Sequence, residues 1–120
     1  MAIILVVEDD VFVRENAAWT IGDLGHGTLL AKDLATALAH LCTATPIDAL
    51  FVDIRLAAVA LGGYDVANRA VGMRPGLPVL YTSGSPLTPA MTEQFVAGGQ
   101  FLQKPYSSDQ LEACMGELLH

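Results

Sequence analysis

The sequence predicts an α/β fold, a doubly wound five-stranded parallel sheet with five helices. Three observations carry this. Short apolar runs alternate with longer stretches whose apolar residues recur every three or four positions, which is helical spacing. The short runs are almost unbroken in apolar character, as strands covered by helices on both faces require. Glycines, prolines and acids punctuate the junctions between them.

Taken in order, Ile3 to Val7 is the first strand, halted by Glu8-Asp9-Asp10. Asp10 is placed to cap the following helix, which leaves Glu8 and Asp9 at the carboxyl end of the strand. From Val11 to Leu24, Val13, Ala17, Ile21 and Leu24 mark one helical face, and Gly25 and Gly27 end it. Thr28 to Ala31 is the second strand. Asp33 opens a helix carrying Leu34, Ala37, Leu38 and Leu41, which Thr45-Pro46 breaks. Ala49 to Asp53 is the third strand, an apolar run that ends on a carboxylate. Ile54 to Gly63 reads as a loop, with Tyr64 or Asp65 beginning a third helix that Arg74-Pro75-Gly76 closes. Pro78 to Thr82 is the fourth strand, followed by the turn Ser83-Gly84-Ser85-Pro86 and a fourth helix expected to run to Gly98-Gly99. Phe101 to Gln103 is the fifth strand. Lys104-Pro105 follows, and Ser107 or Ser108 caps a last helix through Leu119.

With 120 residues, one domain spanning 1–120 is the natural count, and 52% apolar content gives it a core. A formal net charge of −7 with six scattered basic residues speaks against direct nucleic-acid binding, which needs clustered Lys and Arg. The start of the chain lacks the basic region of a signal peptide, and no apolar run reaches membrane-spanning length. Cys42 and Cys114 stand apart without metal spacing, so two buried thiols in a reducing cytoplasm are expected.

In a parallel sheet with right-handed crossovers, the carboxyl ends of the strands gather on one edge. Glu8 and Asp9, Asp53, Ser83 and Lys104 all fall at such ends. Singly, each has a plain explanation. Asp53 turns the chain, the acids cap a helix, Ser83 makes a turn, Lys104 is a surface lysine and Phe101 fills the core. Together they describe a site. Adjacent carboxylates repel unless a cation sits among them, and Glu8, Asp9 and Asp53 suit magnesium better than calcium or zinc. No calcium-loop spacing occurs, and His26, His40 and His120 are too dispersed for zinc. Beside such an ion Asp53 is a candidate nucleophile for phosphoryl chemistry, with Lys104 and the Ser83 hydroxyl as candidate binders of phosphoryl oxygens.

Four segments make a family resemblance specific. They are Ile-Leu-Val-Val-Glu-Asp-Asp from Ile4 to Asp10, Phe51-Val52-Asp53, Pro78-Val79-Leu80-Tyr81-Thr82-Ser83-Gly84 and Phe101-Leu102-Gln103-Lys104-Pro105. In order and separation they resemble the receiver domain of bacterial two-component response regulators, over Ile3 to Leu119. The resemblance implies a flavodoxin-like sheet in the order 2-1-3-4-5. It implies that Asp53 accepts a phosphoryl group from a sensor histidine kinase or a histidine phosphotransfer protein. Asp9 is then the direct Mg2+ ligand, Glu8 acts on the ion through water, and Arg55 lends its backbone carbonyl. Ser83 is the hydroxyl that moves on activation, Lys104 pairs with the phosphoryl oxygens across an expected cis Lys104-Pro105 bond, and Phe101 is the switch aromatic. Phosphorylation re-biases the surface formed by the fourth helix, fifth strand and fifth helix, with a phosphorylation-dependent homodimer as one consequence.

The chain departs from the family pattern in three places. Ala57 stands where a proline is usual, the loop from Asp53 to Gly63 is about two residues longer than the common pattern, and Phe101 replaces the more frequent Tyr. The apolar stretch Ala57-Ala58-Val59-Ala60-Leu61 either tucks onto the sheet or meets a partner. Arg55 and Ser85 flank the site where side chains tune the lifetime of the phosphoryl group. The expectation is a cytoplasmic, stand-alone receiver, a signalling phosphoacceptor whose only activity is its own phosphorylation and dephosphorylation. The alternatives are a receiver cut from a hybrid kinase or a DNA-binding regulator and, from another class, an aspartyl-nucleophile phosphatase of the haloacid dehalogenase type. The last needs a second acid where Arg55 stands. A flavin-binding protein of the same architecture would find its phosphate repelled by the acids.

Overall fold

A computed structural model describes residues 1–56 and 62–119. In chain order the elements are β1 (Ile3–Val7), α1 (Val11–Asp23), β2 (Gly27–Ala31), α2 (Leu34–Leu41), β3 (Ala49–Asp53), α3 (Gly62–Met73), β4 (Val79–Ser83), α4 (Pro89–Gln94), β5 (Gln100–Gln103) and α5 (Ser108–Leu118). All strand pairs are parallel and the order is β2-β1-β3-β4-β5. The strands alternate between two cores, as a period of two demands. Ile4, Val6, Ala49, Phe51 and Leu80 pack on one face, with Ile21 of α1 and Leu111 and Met115 of α5. Leu5, Val7, Leu50, Val52, Val79 and Tyr81 pack on the other, with Leu41 of α2 and Val66 and Ala70 of α3. Every residue of β3 is buried, so the run that ends on Asp53 is the centre of the molecule.

The caps follow the sequence closely. Asp10 accepts from the amides of Phe12 and Val13, Asp33 from Thr36, and Ser107 forms a reciprocal capping box with Gln110. At α3 the helix begins at Gly62 instead of Tyr64 or Asp65. Gly63 is forced there by space: a Cβ would lie 2.2 Å from the Asp53 carbonyl oxygen. Its amide donates to the Ile54 carbonyl at 2.8 Å, so the start of α3 rests directly on the end of β3.

Two further expectations are corrected. The fourth helix does not reach Gly98-Gly99 but stops at Gln94, and Phe95 is already extended at φ −70°, ψ 147°. The cause is Tyr81, fully buried in β4, whose hydroxyl oxygen accepts the Val96 amide at 2.9 Å and whose ring stacks on Phe95 at 4.2 Å. Burying Phe95 against that ring outweighs another turn of an exposed helix. The thiols are not buried either: Cys42 is exposed just past α2, and Cys114 is half-buried on α5. The expectations for Ala57 to Leu61 lie outside the described residues.

Candidate functional site

Strand register brings the polar strand ends together. Asp53 pairs in register with Thr82 and Ser83 with Gln103, which places Lys104 one residue beyond. Glu8 follows β1 directly, and its amide donates to the Ala31 carbonyl at 3.0 Å. Glu8 and Asp53 are buried, 4% and 6% exposed, whereas Asp9 faces solvent. One carboxylate oxygen from each of Glu8, Asp9 and Asp53 lies within 4.8 Å of the others. This is a hard, all-oxygen donor set with an open side, able to hold a metal ion whose remaining positions are filled by water.

Lys104 lies among these acids. Its ammonium donates to Glu8 Oε1 at 2.5 Å and to Asp53 Oδ2 at 3.2 Å, and its amide donates to the Ser83 carbonyl at 2.8 Å. The Lys104-Pro105 peptide bond is cis, as expected from the sequence. Burial pushes the Glu8 carboxyl up to about 7, with the Asp53 charge adding to the rise and Lys104 opposing it. Burial pulls the Lys104 ammonium down, but the hydrogen bond to Glu8 and the charge of Asp53 outweigh it and hold the group above its ordinary value. Tyr106, tilted against Phe51 at 5.9 Å, is pushed up to about 12 by burial, then by the charges of Glu8 and Asp53.

Arg55 reaches the site through its backbone amide, which donates to Asp53 Oδ1 at 3.2 Å. The Ser83 hydroxyl oxygen accepts the Ser85 amide at 3.1 Å. Asp9, Asp53, Arg55, Ser83, Ser85 and Lys104 border an open cleft of about 380 Å³. Two candidates do not border it: Glu8, which is buried beneath Lys104, and Phe101. The ring is half-buried on β5, in register with Tyr81 and 6.3 Å from Phe95. Phe95, Tyr81 and Tyr64 continue the aromatic contact towards α3 at 4.2 and 5.8 Å.

Sequence reasoning missed Arg14. From the first turns of α1 its guanidinium donates to the Glu8 carbonyl at 2.8 Å and approaches the Asp9 carbonyl at 3.5 Å. Its only signal in the sequence is a basic residue a little over one turn past an acidic cap, a pattern common on ordinary helices. Thr82 was also passed over. It is buried beside Asp53, and its hydroxyl donates to the Leu102 carbonyl at 2.7 Å, tying β4 to β5 at the edge of the site.

Comparison with known proteins shows the family and the fold. The family model for the response regulator receiver domain matches residues 4–115. Response regulator MprA of Mycobacterium tuberculosis is 32% identical over 117 residues, covering 97% of this chain and 50% of that protein. The sensor histidine kinase AruS of Pseudomonas aeruginosa is 30% identical over 121 residues, covering 96% of this chain and 12% of that protein. The chain thus spans half or less of the length of these curated relatives. The crystal structure of a response regulator receiver protein from Sinorhizobium medicae superimposes with a TM-score of 0.87 at 27% identity, over 98% of this chain and 94% of that one. Among the described residues no helix is long and apolar enough to cross a membrane. The chain belongs to the response regulator receiver domain family, the signalling modules of two-component systems.

Proposed function

We propose that Asp53 is the phosphoacceptor of this receiver, taking a phosphoryl group from a phosphohistidine in a magnesium-dependent step. The observation that carries the reading is the placing of Asp53. It ends the central strand beside two further acids, with the Lys104 ammonium 3.2 Å away and shared with Glu8. The donor is a sensor histidine kinase or a histidine phosphotransfer protein.

An Asp53 carboxylate oxygen attacks phosphorus as the nitrogen–phosphorus bond breaks. The bonding pair returns to the donor imidazole, which takes a proton from solvent. Glu8, Asp9 and Asp53 would hold Mg2+, with the Arg55 carbonyl as a further ligand and Glu8 acting through water. The ion supplies charge neutralisation for the acids and the transferring oxygens. Lys104 exchanges its Asp53 carboxylate contact for a phosphoryl oxygen, and the Ser83 hydroxyl turns from the Ser85 amide to donate to another. A groove of about 570 Å³ adjoins this edge, walled by Phe12 (82% exposed), Asn16, Pro105 and Tyr106, and gives a protein donor an apolar seat beside the acceptor.

The modification adds roughly −1.5 to −2 charge. Drawing Ser83 and Lys104 inward shifts β4 and the Phe101 ring, and re-biases the α4–β5–α5 surface towards its target or a second copy. The protein so read is a cytoplasmic phosphoacceptor that catalyses at most its own phosphorylation and dephosphorylation. The same chemistry serves a receiver acting alone or one carried within a longer chain. Incubation with a small acyl phosphate and Mg2+ should attach one phosphoryl group, with none on Asp53→Asn and none in excess chelator. Persistent labelling of a folded Asp53→Asn variant would overturn the reading.

A further inference from the structure

We propose that Arg14 is a positioning residue for the metal-binding carboxylates, one that fixes the Glu8–Asp9 backbone without itself engaging any carboxylate oxygen. This rests on the metal reading of the site. Arg14 sits beside three consecutive acids, Glu8, Asp9 and Asp10, yet pairs with none of them. Among the described residues the ion pairs are Lys104 with Glu8, Lys104 with Asp53, and Arg69 with Asp65. The Arg14 guanidinium bonds instead to the peptide oxygen of Glu8 at 2.8 Å and approaches that of Asp9 at 3.5 Å.

The Glu8 amide is held by the Ala31 carbonyl and the Glu8 side chain by Lys104, but the Glu8 carbonyl is held by Arg14. Glu8 Oε2 accepts the Asp10 amide at 3.2 Å, and Asp10 is committed to capping α1. Arg14 is anchored from its own end, since its amide donates to the Asp10 carbonyl at 2.9 Å. A planar guanidinium held at one end of the loop sets the tilt of the Glu8 and Asp9 peptide planes. The peptide planes in turn aim the two side chains towards Asp53. A lysine or arginine paired with Asp9 would compete with a cation for the same oxygens. A guanidinium on the carbonyls supports the ligands without competing, the arrangement expected of groups that orient metal ligands from behind.

Charge and positioning predict opposite signs. Removing a nearby positive charge should by itself tighten Mg2+ binding, since less repulsion is left. Removing the support should weaken it. The experiment is a calorimetric Mg2+ titration of the full chain as wild type, Arg14→Gln and Arg14→Lys, with thermal melting in chelator to establish folding. The expected result is a loss of affinity of roughly tenfold for Arg14→Gln, the low end for groups behind a metal ligand. Arg14→Lys keeps the charge but has a shorter, unbranched side chain in place of the Nη1 that makes both contacts, and should recover only part of it. Binding by folded Arg14→Gln as tight as or tighter than wild type overturns the proposal. If Arg14→Gln does not fold, Arg14→Lys decides alone, and wild-type affinity in that variant overturns it. A wild-type chain that binds no Mg2+ overturns the metal reading itself, and this inference with it.

Discussion

Replacing Lys104 with methionine tests the electrostatics of the site without touching an acid. Lys104 is the ammonium recorded against Glu8 and Asp53, both almost fully buried. Removing one partner of a buried pair costs about 3–5 kcal/mol, and the partial exposure of Lys104 puts the expected loss at the lower end, about 3 kcal/mol at pH 8. For a chain of this size that is a fall in Tm of roughly 10 °C. The loss must depend on pH. Burial already holds the folded-state pKa of Glu8 at about 7 against an ordinary 4.5, and loss of Lys104 lifts it further. Folded Glu8 then keeps a proton that the unfolded chain has released, so stability rises as pH falls from 8 to 6, by up to about 2.7 kcal/mol in the variant. The wild type regains about half as much over the same interval, so the gap narrows to roughly 2 kcal/mol at pH 6. Mg2+ at a hundred times its Kd adds about 2.7 kcal/mol to whichever form binds it, and the variant, freed of the competing ammonium, gains at lower Mg2+. Urea unfolding at pH 6 and 8, in chelator and in Mg2+, reads all three effects. Equal losses at the two pH values, or no loss at pH 8, would refute the reasoning.

Two further outcomes follow from the same geometry. Mg2+ needs ionised Glu8, so binding at pH 6 should release close to one proton and at pH 8 almost none, measured as the buffer dependence of the binding enthalpy. A buffer-independent enthalpy at pH 6 would contradict the raised Glu8 pKa. Gly63→Ala places a methyl 2.2 Å from the Asp53 carbonyl oxygen and 2.5 Å from Ile54 Cα, so it should cost about 3 kcal/mol in urea unfolding. An unchanged midpoint would show that α3 does not rest on the end of β3 in solution.

The fold was legible because its strongest signals are local. Unbroken apolar runs such as Ala49 to Val52 mark strands covered on both faces, and Asp10, Asp33 and Ser107 are cap residues by chemistry. The clustering of Glu8, Asp9, Asp53, Ser83 and Lys104 was legible for a topological reason: parallel strands deliver their ends to one edge. Details set by three-dimensional packing were not. Nothing in Phe95-Val96 announces that a tyrosine on β4 will capture both and end α4 early. Cys42 looks buried by its apolar neighbours, but it follows Leu41 off the end of α2, where the packed face has already turned away. Glu8 and Asp9 are neighbouring acids that both bring a carboxylate oxygen near Asp53, yet Glu8 is buried on Lys104 and Asp9 meets solvent, a difference that residue type does not announce. Arg14 stayed hidden because its partners are backbone carbonyls, which carry no residue signature.

The central claim is that the phosphoryl group goes to Asp53. The direct measurement is to phosphorylate the chain with an acyl phosphate in Mg2+, reduce the product with borohydride, and sequence its peptides by mass spectrometry. Reduction of an aspartyl phosphate leaves homoserine in place of that aspartate. Homoserine is expected at position 53 and nowhere else, and none when Mg2+ is withheld. Homoserine at Asp9 or Asp10 with Asp53 intact, or phosphorylation without modification of any aspartate, would contradict it.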